Sequence, residues 1–440
     1  MAELISASAP AAAPSHHGKV GVLGAGALVA GSMVGSGVYL LPATFGAMGS
    51  ISILGWVAAT LAALAIAGMF AWLSKAAPGA NGLPGYVQAG LGRFFGVQTT
   101  VAFWTLCWIG NAAVALAVVG AAAFLVPALS EPGPRLAATL GVLWAAVGVT
   151  WIGPRMVARL EGLTLGVGLL PVVAAAVAGW IWFRPEIFLA SWNPQELTLA
   201  EATGRSALTA FWAFLGLECA AAAAGVVRDP PRNVARATLA GVAGVAVLYI
   251  AATTVVMGLL PAEALAVSTA PFADAGRVTL GLGLGAVMAL CALLRAAGCV
   301  TGWTLVGAET TRSAADVGAF PALFRTRPGE RASLVNLLTI GVLVSVVAVL
   351  TVTPTLGEQF GVLINMSVLL ALYCYILAAL SLVRLAPAFS PGRRAAAIAT
   401  AGAAIACSLT LIAQAKPLEV ALALIPLALA ALLYLWLRRR

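Results

Sequence analysis

Apolar stretches of about 20 residues, each long enough to cross the hydrocarbon core of a bilayer as a helix, recur along the whole chain. They run from near residue 20 to near residue 437. Only 9% of the residues are charged and 62% are hydrophobic, whereas a soluble domain carries about 25% charged residues. A soluble fold could not hide so much apolar surface, so the sequence predicts an all-α protein embedded in a lipid bilayer.

About twelve such spans, separated by short polar turns, fit the sequence. We predict them at residues 20–43, 47–73, 98–127, 136–153, 157–182, 206–227, 236–260, 279–308, 333–353, 358–384, 395–414 and 418–437. Residues 1–18, rich in Ala, Ser and Pro, are expected to form a disordered cytoplasmic tail. Residues 19–440 then form a single transmembrane domain. A cleavable signal is not expected, because Lys19 precedes a full-length span.

The basic residues follow the alternation of these spans. With the N-terminus in the cytoplasm, 18 of the 24 Lys and Arg residues fall inside, five fall outside, and Arg295 remains within the hydrophobic layer. This bias obeys the positive-inside rule and predicts that both termini are cytoplasmic. The net charge of +9 therefore reflects membrane topology, and we expect no nucleic-acid partner.

Residues suited to catalysis or metal binding are scarce in the predicted spans. The two histidines, His16 and His17, lie in the tail, and the six cysteines all fall in spans with no disulfide or metal spacing. No HExxH, GxSxG or paired catalytic carboxylates occur at mid-depth. We therefore expect neither an enzyme nor a cofactor or metal. A channel is also disfavoured, because no filter motif is present.

Two spans are interrupted in similar ways. The first reads VAGSMVGSGVYLLP, with Gly35-Ser36-Gly37 at its centre, and the sixth carries Gly216 and Glu218 at mid-depth. They lie five spans apart, which predicts two five-helix repeats of opposite orientation, at about residues 20–182 and 206–384. Two extra helices follow at about 395–437. Interrupted helices at matching positions indicate a solute-binding site near the bilayer midplane.

An interruption of this kind has a direct chemical consequence. Unwinding frees backbone N–H groups at one half-helix end and carbonyls at the other, and inside a membrane these groups need partners. The N–H groups suit a carboxylate, and the carbonyls suit an ammonium group. An α-amino acid presents both. The alternative is that the glycines only allow close helix packing, but the matching second break favours a binding site.

Several motifs resemble the amino acid–polyamine–organocation superfamily, and within it the basic amino acid/polyamine antiporter branch. They are GSGVYLLP at 35–42, CWIGN at 107–111, SWNP at 191–194, FWAFLGLE at 211–218, VVRDPPRNV at 226–234 and GWTL at 302–305. CWIGN resembles the arginine/agmatine type, whereas WAFLGLE and SWNP lean towards the putrescine/ornithine type. The resemblance covers the chain from about Lys19 to the last span.

The resemblance implies a five-plus-five inverted-repeat fold with two additional helices. It implies a secondary active transporter that exchanges an amino acid for a related amine or amino acid by alternating access, without sodium. The exchange is expected to be arginine/agmatine-like, with arginine as the leading candidate substrate. It also suggests a homodimer in the bacterial inner membrane. Proton-coupled uptake of an amino acid or polyamine remains an alternative, because Glu218 could carry the proton; an ion channel is a remote one.

Carried over by motif, the resemblance assigns site residues as well. Ser36 and Gly37 would bind the substrate carboxylate, and backbone carbonyls near Met33, Trp212 and Leu215 would bind its α-amine. Trp303 would stack on the middle of the substrate. The distal end would contact Cys107, Asn111 and Ser367. Trp212 would close the site from outside. Glu218 and Tyr375 would form an inner gate, with Phe360 nearby.

Elementary chemistry supports some of these roles and leaves alternatives for others. A carboxylate within a span is expensive and indicates function, so Glu218 is either a gating or proton-sensitive group or a structural partner of an Arg. A desolvated Trp face attracts a cation by about 2 kcal/mol, but Trp212 and Trp303 could also be packing residues. Asn111 could serve only as an interhelical hydrogen bond.

Four positions depart from the arginine/agmatine pattern. Ser32 replaces an Asn of the binding site, and Phe103 replaces a Tyr of the inner gate and so loses a hydroxyl. Leu106 replaces an Ala and Val114 replaces a Met. The larger Leu106 is expected to shrink or tilt the subsite for the distal end of the substrate, so a long guanidinium would fit less well.

Arg295 is the largest departure, because the family has a small residue at this place. A lone Arg at the bilayer centre costs about 3 kcal/mol on the insertion scale and needs a partner. Three interpretations stay open. It could pair with a carboxylate or carbonyls, provide a fixed positive charge where sodium-coupled relatives hold a cation, or bind a substrate anion. The last two would disfavour a dicationic substrate.

Overall fold

The computed structural model describes residues 26, 30–31, 33–35, 37–80, 82–218, 230–325, 333–353 and 355–438. Within this part of the chain every regular element is a helix, which confirms the predicted all-α class. The expected disordered tail at residues 1–18 lies outside the described residues, as do Ser32 and Ser36.

Sixteen α-helices are described, numbered here in chain order. They are α1 (Gly37–Gly46), α2 (Ile53–Ala76), α3 (Gly82–Leu91), α4 (Arg93–Leu125), α5 (Pro132–Ile152), α6 (Pro154–Val177), α7 (Pro185–Ala190), α8 (Leu199–Phe211), α9 (Pro230–Leu259), α10 (Ala262–Val267), α11 (Pro271–Leu280), α12 (Leu282–Asp316), α13 (Leu334–Leu350), α14 (Leu356–Leu385), α15 (Pro391–Ile412) and α16 (Pro417–Arg438).

These helices match the predicted spans. In the described part of the chain, nine helices are long and apolar enough to cross a membrane: α2, α4, α5, α6, α9, α12, α14, α15 and α16. The apolar α13, with 17 residues, corresponds to the ninth span. Helices α1 and α8 are halves of the interrupted first and sixth spans. Counting these two, the described helices account for all twelve predicted spans.

Some boundaries differ from the prediction. The eighth span was expected to end at residue 308, but α12 continues for two more turns to Asp316. Arg312 forms ion pairs with Glu309 and Asp316 along this extension, and such pairs at i,i+3 and i,i+4 stabilise a helix. The eighth span is therefore one continuous helix that extends to Asp316.

A side-chain cap fixes the start of the sixth span. The Thr198 hydroxyl accepts a hydrogen bond from the Glu201 backbone N–H at 3.3 Å, and the Glu201 carboxylate accepts one from the Thr198 N–H at 3.3 Å. This capping box satisfies two donors at the helix end. The segment between α6 and α8 also contains the short helix α7.

Helix packing divides the molecule into a scaffold and a smaller bundle. The third span (α4) packs against α12 and α14, and α12 packs against α6. The α4–α14 and α6–α12 pairs are equivalent in a five-plus-five arrangement. In the smaller bundle, the buried Trp56 of α2 contacts the rings of Phe45, Phe214 and Tyr249 at centroid distances of 5.6–6.1 Å. Trp56 thus joins the first, second, sixth and seventh spans.

Candidate functional site

The sixth span is broken where the sequence predicts it. Helix α8 ends at Phe211 and is followed by a 3₁₀ turn at Trp212–Phe214 and by an extended Leu215. Gly216 then adopts φ = 104°, a conformation that an L-residue with a side chain adopts only under strain. This glycine is therefore needed to turn the chain at mid-depth.

The first span is broken at the facing position. Val34 and Gly35 are not helical, and α1 begins at Gly37. The Met33 carbonyl accepts hydrogen bonds from the Gly35 N–H at 2.8 Å and from the Tyr249 hydroxyl at 3.2 Å. Side chains from other spans thus satisfy part of the backbone that the break exposes, as the absence of water in a bilayer requires.

A small cavity lies where the two breaks meet. Its volume is about 30 Å³, which is room for water but not for an amino acid. It is lined by Met33, Gly35, Gly37, Val38, Val114, Trp212, Ala213, Leu215, Tyr249, Cys299 and Trp303. The structure therefore represents a closed form of the site.

Trp212 closes this cavity by lying across two glycines. A Cβ atom on Gly37 would overlap the indole Nε1 of Trp212, and one on Gly110 would come within 2.7 Å of its Cη2. The indole plane thus bridges the first and third spans, and the absence of side chains at both glycines makes its position possible. Gly110 belongs to the CWIGN segment.

Seven of the positions that the sequence singled out meet at the cavity. They are Met33, Gly35, Gly37, Val114, Trp212, Leu215 and Trp303. Ser32 and Ser36, the latter assigned to the carboxylate end, lie outside the described residues. Their roles stay predictions.

The residues assigned to the distal end of the substrate do not line the cavity. Asn111 donates to the Val300 carbonyl at 3.2 Å and to the Thr304 hydroxyl at 2.9 Å, so it holds the third span to the eighth. The Ser367 hydroxyl donates to the Leu363 carbonyl at 3.0 Å, and Leu106 and Cys107 are buried. The tip of the Trp212 indole, above Gly110, covers this region in the closed form.

The structure brings the two proposed gate residues together. The Tyr375 hydroxyl donates a hydrogen bond to Glu218 Oε2 at 2.7 Å, and the Gly216 N–H donates to the same oxygen at 3.1 Å. Phe70 packs edge-on against the Tyr375 ring at 5.6 Å. The buried carboxylate is thus held between the sixth and tenth spans.

Phe103 lies closer to the Glu218–Tyr375 pair than Phe360 does. Cys374, beside Tyr375, contacts the Thr99 carbonyl at 3.8 Å, and Phe103 lies one helical turn further along α4. Phe360 is fifteen residues from Tyr375 on the same helix, α14, which is about 22 Å at 1.5 Å per residue. The expectation that Phe360 lies near the Glu218–Tyr375 gate is therefore wrong.

Arg295 finds its partner at the break of the first span. Its Nε and Nη2 atoms donate hydrogen bonds to the Val34 carbonyl at 3.1 and 2.6 Å. Its side-chain stem fills the space above Gly168 of α6, where a Cβ atom would overlap it. Arg295 does not line the cavity, and of the three interpretations the structure shows the pairing with a carbonyl.

Three residues of the site were missed in the sequence. Tyr249 places a hydroxyl at mid-span, and Cys299 lies one turn before Trp303 on the same helix face. Gly110 leaves room for the indole of Trp212. The four-residue spacing from Trp303 could have identified Cys299. Trp212 needs a neighbour without a side chain, but nothing in the sequence around Trp212 indicates that Gly110 is this neighbour.

A larger vestibule of about 960 Å³ leads towards the site from the α8 start. Its walls carry Glu201, Arg205, Glu358, Lys416 and Glu419. Leu208 and Thr209, one turn before Trp212, also line it. Trp212 therefore lies between this vestibule and the central cavity.

A closed mid-membrane cavity between two broken helices, with a vestibule that carries charged residues on one side, defines the molecule as a multi-pass membrane transporter. The chain belongs to the amino acid permease family, whose family model matches residues 20–432. Family membership and the transporter relatives below confirm that it is not an enzyme.

Curated relatives cover most of the chain. It is 34% identical over 365 residues to the putrescine transporter PotE of Escherichia coli (strain K12), covering 83% of each chain. It is 32% identical to the Haemophilus influenzae putrescine transporter PotE, covering 82% of each chain. Identity to the cadaverine/lysine antiporter of E. coli K12 is also 32%, over 83% of each chain.

Proposed function

We propose that the protein is an antiporter that exchanges a basic amino acid for a related amine by alternating access. The observation that carries the proposal is the closed cavity at the meeting point of the two broken spans. The names of the relatives, a putrescine transporter and a cadaverine/lysine antiporter, support the substrate class. The substrate pairs ornithine/putrescine and lysine/cadaverine belong to this class. The pair arginine/agmatine, whose molecules are longer, is the alternative.

The proposed binding mode places the substrate across both breaks. Ser36 and Gly37 hold the carboxylate at the start of α1, where the helix dipole favours an anion. The Leu215 carbonyl, at the extended residue before Gly216, takes the amine, because the Met33 carbonyl already accepts from Gly35 and Tyr249. The indole of Trp303 lies along the substrate.

Opening of the site requires Trp212 to leave its position over Gly37 and Gly110. This movement connects the cavity to the vestibule and uncovers Cys107, Asn111 and Ser367 for the distal amine. Leu106, which is larger than the Ala of the arginine/agmatine pattern, makes that subsite short, which favours ornithine or lysine over arginine. On the opposite side, separation of Glu218 from Tyr375 releases the substrate.

The topology that we propose follows the basic residues. Both termini lie in the cytoplasm of a bacterial cell, the vestibule faces outward, and the protein resides in the inner membrane as a homodimer. The two inverted repeats comprise about residues 20–182 and 206–384, and the helices at about 395–437 follow them.

A thermal-shift screen of the purified protein tests the binding claim. Arginine, lysine, ornithine, agmatine, cadaverine and putrescine are compared with glutamate and leucine as controls. A ligand at 100 times its Kd stabilises the folded state by about 2.7 kcal/mol. Stabilisation by cationic ligands supports the proposal, and stabilisation by glutamate or leucine alone contradicts the substrate class.

Proton-coupled uptake is the second candidate function. The observation that favours it is the carboxylate of Glu218, which is only 8% exposed and accepts hydrogen bonds from the Tyr375 hydroxyl and the Gly216 N–H. A carboxyl group in this position could bind a proton on one side of the membrane and release it on the other. Uptake driven by a pH gradient into vesicles without internal substrate favours this mechanism.

A further inference from the structure

Glu161 is a membrane-embedded carboxylate outside the cavity and the gate just described. It lies on α6, on the face formed with Val157, Thr164 and Gly168, which packs against α12. A Cβ atom on Gly302 would lie 2.6 Å from Glu161 Oε1 and 2.8 Å from its Cδ. The carboxylate therefore rests on the backbone next to Trp303, whose side chain lines the cavity.

Within the described residues, the Glu161 carboxylate has no hydrogen-bond donor and no ion-pair partner. Arg295, on the facing helix α12, donates two of its N–H groups to the Val34 carbonyl. Arg295 and Gly302 are seven residues apart on α12, about 10 Å. Charged groups within a span are expensive to retain and usually mark a solute or ion pathway.

The position of Glu161 puts it on the side of the cavity opposite the vestibule. It lies seven residues, about 10 Å, from the start of α6. One turn further into the membrane, Leu165 faces Gly31 of the first span, with its Cδ2 atom 3.6 Å from where a Cβ of that glycine would be. Glu161 thus lies beside the inner half of the first span, where a solute would leave the site.

We propose that Glu161 is a second binding residue for the positively charged end of the substrate, on the exit path to the cytoplasm. The proposal rests on the exchange function argued above. A half-buried carboxylate beside Trp303 attracts an ammonium or guanidinium group that has passed the central site. Because Trp212 and the vestibule lie on the other side, this residue acts on binding from the cytoplasm and not from outside.

The test compares Glu161→Gln with the parent protein in right-side-out and everted membrane vesicles. Gln keeps the shape of the side chain over Gly302 but removes its charge. The probe is radiolabelled putrescine, cadaverine or lysine, whichever the parent exchanges. We expect KM at the cytoplasmic face to rise about tenfold, equivalent to about 1.4 kcal/mol, with KM at the outer face unchanged.

Two further variants sharpen this test. Glu161→Asp keeps the charge but withdraws it from Gly302, so we expect a rise of KM at the cytoplasmic face of about threefold. This variant also provides the test if Glu161→Gln does not accumulate. Glu309→Gln, which removes a carboxylate paired with Arg312 near the end of the same helix α12, is the matched control and should leave KM unchanged at both faces.

Equal changes of KM at both faces, or no change at either face, would overturn the role of Glu161. A structural role would lower the melting temperature and the maximal rate without separating the two faces. If the parent protein shows no exchange of any of these probes, the proposed function itself fails, and that result is distinct from a failure of the Glu161 proposal.

Discussion

The guanidinium of Arg295 donates two hydrogen bonds to the carbonyl oxygen of Val34, at 3.1 and 2.6 Å, across the first and eighth spans. Val34 is the residue at which the first span unwinds. A buried positive charge therefore satisfies a carbonyl that the break would otherwise leave without a partner in the membrane. Arg295 thus explains how the first break is held in its closed geometry.

Replacing Arg295 is expected to destabilise the break. In Arg295→Ala the Val34 carbonyl loses both donors and the space over Gly168 is emptied, so we expect a loss of about 3 kcal/mol in the free energy of unfolding. Exchange should fall with it. The melting temperature and the exchange rate are the measurements.

Arg295→Lys provides the matched comparison for this prediction. Lys keeps the charge but lacks the planar fork that reaches one oxygen with two N–H groups, so an intermediate stability is expected. An Arg295→Ala protein of unchanged stability and altered substrate selectivity would indicate instead that Arg295 binds a substrate anion.

Gly110→Ala is expected to displace the indole of Trp212. The new methyl group would lie 2.7 Å from the indole Cη2 in the closed form, which is too close for two carbon atoms. Closure should become less favourable, and the exchange rate should fall several-fold. Gly141→Ala on α5, where a Cβ atom meets nothing within 4 Å, is the control. Equal exchange rates for both variants would argue against Trp212 as the outer closure.

Tyr375→Phe is expected to weaken the inner gate. The hydroxyl donates to Glu218 at 2.7 Å, and hydrogen bonds to charged groups contribute about 2 kcal/mol. We predict a lower melting temperature and faster leak of preloaded substrate from proteoliposomes. Tyr373→Phe, two residues away on the same helix, serves as the control. If Tyr375→Phe retains preloaded substrate as the parent does, the Glu218–Tyr375 contact is not a gate.

Glycine and carboxylate positions made the breaks of the first and sixth spans predictable. Gly35, Gly37 and Gly216 mark sites where a helix cannot continue without cost, and Glu218 at mid-span has few explanations other than function. The motif resemblance then placed Trp212 and Trp303 at the same site. Local chemistry and motif spacing were sufficient for these features.

Other features depend on contacts between distant parts of the chain. Nothing near Arg295 in the sequence indicates that its partner is a carbonyl 261 residues away. The resemblance places Phe360 near the gate, although helix geometry separates it from Tyr375. Glu161 lies close to a span end, where a carboxylate is common, and only its contact with Gly302 reveals its relation to the cavity. Such contacts follow from helix packing, which a single sequence does not specify.

Uptake of a labelled substrate into proteoliposomes, with and without unlabelled substrate inside, tests the exchange mechanism most directly. The labelled probe is lysine, ornithine or the amine that stabilises the protein best in the thermal-shift screen. Vesicles preloaded with the corresponding amine or amino acid should accumulate label, whereas empty vesicles should not, even with a pH gradient across the membrane. Uptake into empty vesicles driven by the pH gradient would contradict obligatory exchange.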